Sequence, residues 1–201
     1  MKTSQRASIV LLLLIVATLL VGQRFGFVWA GGDGYVPEVG AVDMENGDTY
    51  RRGESVTTGA ENRIYVRVGT PGDIASLAEI WLDHNTEIIL DQTNANGVTI
   101  RLVRGRLLVI SHEPIHPLTV KTNFTESEIL AGTMSVVNYD FLETTSIAPI
   151  NTTATVTIRG EQPFETKKPV NVHETPPVSI VETPFDVTAA SVAEFYQWAM
   201  R

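Results

Sequence analysis

From about residue 39 to residue 159 the chain is a succession of short apolar stretches cut apart by turn dipeptides, and this pattern restricts the fold more than any other feature. The stretch VTIRLVRG shows it most plainly. Val98, Ile100 and Leu102 fall on one side of an extended chain, with Thr99, Arg101 and Val103 on the other. Gly105 is expected to break this strand. Leu107, Leu108, Val109 and Ile110 then form an apolar run suited to a strand covered on both faces. Comparable pieces lie at 64–68, 78–82, 87–90, 118–121, 129–131, 134–139 and 154–158. Asn46-Gly47 and Asn96-Gly97 are turn dipeptides, because Asn and Gly tolerate positive φ. Strands this short at such even spacing predict an all-β domain, solenoid-like or a twisted two-sheet fold, and no strict repeat marks a solenoid.

The ends of the chain differ from this middle. Residues 7–22, ASIVLLLLIVATLLVG, form an apolar run preceded by Lys2 and Arg6, and its length lies between a signal-peptide core and a full membrane span. If the helix is retained, Phe25, Phe27 and Trp29 suit an interfacial aromatic belt. If it is cleaved, Val28-Trp29-Ala30 is the processing site and the product is secreted. The distance from the apolar core to Ala30, interrupted by Arg24, favours retention. Lys2 and Arg6 hold the N-terminus inside in both cases, so the main domain is expected outside the cytoplasmic membrane, as a single-pass protein in the retained form.

After residue 160 the composition changes. Pro163, Pro169, Pro176, Pro177 and Pro184 stand among Thr, Glu and Val, which predicts extended linker or edge structure. SVAEFYQWAMR then reads as an amphipathic helix, with Ser191 and Glu194 as a capping box and Val192, Phe195, Tyr196 and Ala199 as its apolar face. Such a face most simply covers an end of the β-domain; docking a partner is the alternative. The expected organisation is therefore a signal anchor or signal peptide at 1–30, a linker at 31–39, a β-domain at 40–160, a Pro-rich extended segment at 161–187 and a helix at 188–201.

Composition excludes several functions. A net charge of −8 argues against nucleic acid as a partner, since neutralising phosphates needs clustered Lys and Arg. Zero cysteines exclude disulfides, thiol catalysis and thiolate metal sites. The stretch HEPIH, His112 to His116, matches H-E-x-x-H literally. That motif grips zinc only when a helix points both histidines one way. Here Pro114 sits inside it, Pro117 follows it, and both flanks are strand-like, so the segment is predicted to be an inter-strand loop. A surface metal site from His112 and His116 is the sharper alternative.

Other constellations carry little chemistry. Asn94-Ala95-Asn96-Gly97 resembles part of a calcium loop, but Gln92 stands at the first ligand position and Val103 where a Glu should close it. Asn123-Phe124-Thr125 and Asn151-Thr152-Thr153 are formal glycosylation sequons. Trp81, beside Asp83 and His84, is either a surface sugar or peptide contact or a packed aromatic, and packing is the commoner fate. No catalytic, cofactor-binding or metal-ligating residue is assigned, and no cofactor is expected.

In order along the chain, IWLDHNTEIIL, GVTIRLVRGRLLV and HPLTVKTNFTESEILAGTMSVV carry a set of family-like steps. Leu102, Gly105 and Val109 match "L-x-x-G-x-hydrophobic-hydrophobic-V". Pro117, Leu118, Val120 and Thr122 match "P-hydrophobic-x-V-x-T", and Gly132-Thr133 precedes an alternating strand. Upstream, residues 40–59 fit an opening hairpin and a "G-x-x-hydrophobic-x-T" step. Over about residues 40–160 the chain resembles the FecR-type extracytoplasmic domain. The resemblance implies an all-β fold with structural rather than catalytic motifs. Its best-known members relay an outer signal to a cytoplasmic sigma factor through an N-terminal cytoplasmic segment. Six residues before the apolar run are too few to fold or grip a partner, so the resemblance speaks to fold more than to sigma-factor regulation here.

Three functions follow in order of expectation. The first is a non-enzymatic extracytoplasmic binding module tethered to the membrane through residues 7–22, with an envelope protein or glycan as partner. The second is a transmembrane signalling component of FecR type. The third is an envelope hydrolase using HEPIH or the scattered carboxylates.

Overall fold

The computed structural model describes residues 40–44, 47–70, 73–94, 97–112 and 115–201. The expected apolar helix at 7–22, the linker, and residues Asn46, Asn96, Glu113 and Pro114 lie outside the described residues. Among its described residues, the unit Glu38–Arg201 contains fifteen strands and one short C-terminal α-helix. The fold is thus the expected all-β one, in its two-sheet form.

One long strand organises the molecule. β7 (Gly97–Ser111) belongs to both sheets. Its first half pairs with β6 (Glu87–Asn94) and, in parallel, with β8 (Leu118–Lys121). This first sheet continues through β9 (Thr125–Ile129) and β12 (Ala154–Ile158) to β13 (Phe164–Thr166), while β3 (Ser55–Thr57) edges β6. The second half of β7 pairs with β5 (Asp73–Leu82) and β10 (Gly132–Tyr139). On one side this second sheet extends through β4 (Ile64–Thr70) and β1 (Gly40–Asp43) to β2 (Thr49–Tyr50). On the other it extends through β11 (Thr144–Pro149) and β14 (Val170–His173) to β15 (Ser179–Glu182). One buried apolar cluster joins the two sheets, with Ile88, Ile100 and Leu102 from the first and Ile80, Leu107 and Val136 from the second. Among the described strand pairs only β7–β8 is parallel, so they form antiparallel ladders rather than stacked coils.

Gly105 does not end the strand, as its position predicts, but turns it from one sheet into the other. Val98, Ile100 and Leu102 enter the core before it, whereas Leu107 and Val109 do so after it, so the inward phase switches from even to odd. A register shift between Glu87 and Ile88 against β7 accompanies the switch. Gly105 has φ +96, and a Cβ there would lie 2.5 Å from Thr86 Oγ1 and 2.6 Å from its Cα. Only glycine fits. The backbone polar groups released at the bend find partners. Arg106 N–H donates to Thr86 Oγ1 at 3.1 Å, and Thr86 Oγ1 donates back to the Arg106 carbonyl at 3.0 Å. Asn138 Nδ2 donates to the Leu102 and Val103 carbonyls at 3.2 and 2.8 Å. These bonds matter because a buried carbonyl without a donor costs roughly 1–3 kcal/mol.

Three local expectations are corrected. The strand expected at 129–131 lies at Thr125–Ile129, because Leu130 is half exposed and Gly132 turns the chain at φ +108. The capping box of Ser191 and Glu194 does not form: α1 (Ala193–Ala199) has Val192 at its N-cap and no side-chain cap. The Ala189 carbonyl receives the Val192 and Ala193 N–H groups instead. Finally, α1 covers a face of the second sheet and not an end of the domain, since Phe195, Tyr196 and Ala199 pack on Trp81 and Leu108. The Pro-rich segment supplies β13 and β15, which take the expected edge form, and β14, which lies inside the second sheet between β11 and β15.

Candidate binding site

Side chains that point outward from the second sheet build a seat for the C-terminal helix. Trp81 in β5 and Leu108 in β7 are neighbours across the ladder, and both turn away from the main core. Trp81 is therefore buried under α1 and not a surface contact; Tyr65 stacks on it with ring centroids 4.6 Å apart. Tyr196 is 1% exposed, and its hydroxyl meets Ser135 Oγ of β10 at 2.8 Å. Burial raises the Tyr196 phenol pKa above its usual value, against the opposing effects of the Ser135 hydrogen bond and the nearby Arg106 charge. Phe185 and Phe195 meet the Tyr196 ring edge to face at 5.3 and 5.0 Å.

A charged cluster borders this seat. Asp83 accepts from Arg63 at 3.1 Å and from Arg106 at 3.0 Å, and its side chain is only 12% exposed. Arg63 also meets Glu194 of α1 at 3.3 Å and lies over the Trp198 ring at 5.9 Å. The cluster ties β7, the residue just before β4 and the turn after β5 to the helix. Nothing in the sequence spacing marks it, because its partners stand 20 and 23 residues apart and meet only through the strand register.

The two histidines of HEPIH have different surroundings. His112 follows β7 directly and its Nε2 lies 3.1 Å from Glu79 Oε1, while Glu79 Oε2 accepts from the Tyr65 hydroxyl. His116 lines a small hollow beside Leu77 and Pro117. Among the described residues no group of three or more His, Cys, Asp or Glu is placed to hold a metal ion. Asn151 of the second sequon is structural, since its Oδ1 accepts from Thr133 N–H at 2.6 Å and braces the turn at Gly132. Among the described residues no helix is long and apolar enough to cross a membrane.

The most open backbone lies at β15. All four of its residues are exposed, and Ile180 and Val181 keep 47% and 46% of their surface in solvent. The β14–β15 register pairs Asn171 with Val181, and Thr183 N–H donates to the Pro169 carbonyl at 3.0 Å. Odd-numbered residues thus direct their backbone groups at β14. Ile180 and Glu182 direct theirs away from the sheet.

Neither a protein-family model nor a curated protein sequence matches the chain. Its fold is shared by two crystal structures of a candidate anti-sigma factor from Parabacteroides distasonis ATCC 8503. Both superpose with a TM-score of 0.57, at 13% and 12% identity, over 69% of this chain. The chain spans 62% and 63% of the length of those two structures. At that identity the likeness is one of fold.

Proposed function

We propose that this chain is a non-enzymatic, extracytoplasmic interaction module of FecR type, tethered to the cytoplasmic membrane through residues 7–22. The observation that carries the reading is β15. A free edge with two exposed apolar side chains and two outward-facing backbone units accepts an extended segment of another protein by strand addition. Such an edge is usually blunted by charge, and here the only charged side chain on the strand, Glu182, is drawn to Lys168 at 2.7 Å. The partner in this reading is an envelope protein that contributes one extended, apolar-rich strand. Residues 40–160 supply the rigid frame, and the family resemblance in that region supports a place outside the membrane.

The fold likeness to a candidate anti-sigma factor supports a second, related reading: a signalling component that passes an outer event through the membrane helix. One experiment addresses both. Full-length protein carrying a photo-crosslinking side chain at Val181 is fractionated, and its mature N-terminus is read by mass spectrometry. Met1 or Lys2 in the membrane fraction, with a discrete crosslink to an envelope protein, supports the tethered module. A soluble chain starting near Gly31 sinks the tether and the signalling reading together. A tethered chain without a crosslink at Val181 sinks the role given to β15.

A further inference from the structure

Residues 183–192 leave β15 and cross the outer face of the second sheet before α1 begins. Between this strap and the sheet lies a cleft of about 330 Å³. It stays open for a simple reason. The sheet residues beneath the strap include Ser135, Ser146 and Ala148, which are too small to fill it. Protein interiors are otherwise close-packed, and unfilled space loses the dispersion contacts of its lining.

The lining is chemically specific. Arg106 and Tyr139 stand together, with Arg106 Nη2 donating to the Tyr139 hydroxyl at a long 3.3 Å. Arg106 Nε is buried and has no hydrogen-bond partner, so the guanidinium, which carries five N–H donors, is under-satisfied. In charge the cluster balances: Arg63 and Arg106 share the carboxylate of Asp83, and Arg63 also meets Glu194, whose side chain is 87% exposed. What Arg106 keeps is unused donor capacity on its guanidinium. Ser146 and Asn171 add a hydroxyl and an amide, and Phe185 and Tyr196 add aromatic surface. Asp186 also borders the cleft, but at its exposed rim, where its carboxylate accepts from Thr188 N–H at 2.8 Å and Thr188 Oγ1 at 2.6 Å.

We infer that this cleft is a binding site for an acidic sugar the size of one ring. The carboxylate sits on the Arg106 guanidinium beside Tyr139, ring hydroxyls meet the Ser146 and Asn171 groups, and an aromatic side chain covers the apolar ring face. The volume is at the small end of ligand sites, which matches one sugar unit and not an extended chain. This site is separate from the β15 edge, and neither depends on the other.

The test is isothermal titration calorimetry on the full chain in detergent micelles, with glucuronate as probe. Glucose, acetate and glycylglycine separate the contributions of ring, charge and a peptide carboxylate. The expected result is saturable one-to-one binding of glucuronate, weaker by about tenfold or more for each of the other three. Ser146→Phe fills the cleft from the sheet without touching the Arg106 contacts; it gives up the Ser146 hydrogen bond to Asn171 Oδ1, and it should abolish binding while the chain stays folded. Should that variant unfold, Ala189→Trp fills the same space from the strap. No saturable binding of glucuronate, equal binding of acetate or glucose, tighter binding of glycylglycine, or full binding by a folded cleft-filled variant would each overturn the inference.

Discussion

The hydroxyl of Tyr196, one turn into the C-terminal helix, lies 2.8 Å from the hydroxyl of Ser135 in the middle of β10, 61 residues earlier. Ser135 also donates to the Leu107 carbonyl at 3.1 Å, so one buried serine couples the helix to two adjacent strands. A helix of seven residues is far too short to be stable alone, and its existence therefore depends on this seat.

Removing the hydroxyl should weaken the seat without destroying it. Tyr196→Phe keeps the ring and leaves Ser135 its bond to Leu107, so a loss of about 1 kcal/mol is expected in chemical denaturation. Phe195→Ala, which deletes a ring that is 1% exposed, should cost about 3–5 kcal/mol and release the helix.

The same phenol sets an alkaline limit. Its folded-state pKa is raised above the usual value of 10.0, chiefly by burial. Below pH 10 both folded and unfolded forms hold the proton, and the contribution is fully present. As pH rises from there towards the folded pKa, the unfolded chain loses its proton first, and stability falls. Burial also raises Tyr50 and Tyr65, so the diagnostic in tyrosinate absorbance is a group titrating above pH 10 in the wild type whose ionisation coincides with loss of the helix signal. Tyr196→Phe should lack that group. Simple titration near pH 10 for all tyrosines would count against the buried seat.

Gly105 and Gly53 make a controlled pair. Both have positive φ, +96 and +85, but a Cβ at Gly53 meets nothing within 4 Å, whereas at Gly105 it meets Thr86 and the Asn85 carbonyl. Gly53→Ala should cost about 1–2 kcal/mol, the strain of the left-handed region alone. Gly105→Ala adds overlap with fixed backbone and should cost roughly 3–5 kcal/mol, visible as a large fall in the denaturation midpoint or as insoluble protein. Equal effects at the two sites would contradict the close approach of Thr86 to β7.

How far the sequence discloses this fold depends on where its determinants lie. Residues 118–121 and 154–158 are legible as strands because their alternation and their turns are local, and β8 and β12 begin and end at those residues. The apolar face of α1 is legible for the same reason. Gly105 is legible as a special position, yet whether it ends a strand or bends it depends on Thr86, which only the folded chain brings near. The short strands after residue 160 are only partly legible: β13 and β15 are three- and four-residue edge strands without a buried residue, and β14, although Val170 and Val172 alternate inward, is too short to stand out among Pro, Thr and Glu. Least visible is the set Arg63, Asp83 and Arg106: its charge pairing is a product of register between β4, β5 and β7, and no spacing rule anticipates it.

Asp83 provides a stability test of that cluster. Asp83→Asn keeps the shape of the side chain but leaves Arg63 and Arg106, each with about one sixth of the side chain exposed, without their shared anion. A fully buried pair broken from one side costs about 3–5 kcal/mol; partial exposure here reduces the expected loss to about 2–3 kcal/mol. Arg63→Gln, which leaves the Asp83–Arg106 pair intact, should cost less. The order of the two denaturation midpoints decides the matter, and a larger loss from Arg63→Gln would mean that its contacts with Glu194 and Trp198 dominate instead.

The β15 edge yields the prediction most directly tied to function. Ile180 is 47% exposed, and its backbone groups face away from β14, so Ile180→Lys places a charge where an incoming strand would have to pack. Because the side chain contributes little to the core, the substitution should leave stability within about 0.5 kcal/mol of the original. Capture of an envelope partner, read by crosslinking from Val181, should nevertheless fall steeply. Glu165→Lys on the opposite edge strand, β13, serves as the control for added charge: its backbone belongs to the other sheet, and capture at Val181 should be unchanged. Equal loss from both substitutions would point to a general charge effect, and loss from neither would remove β15 as the docking edge.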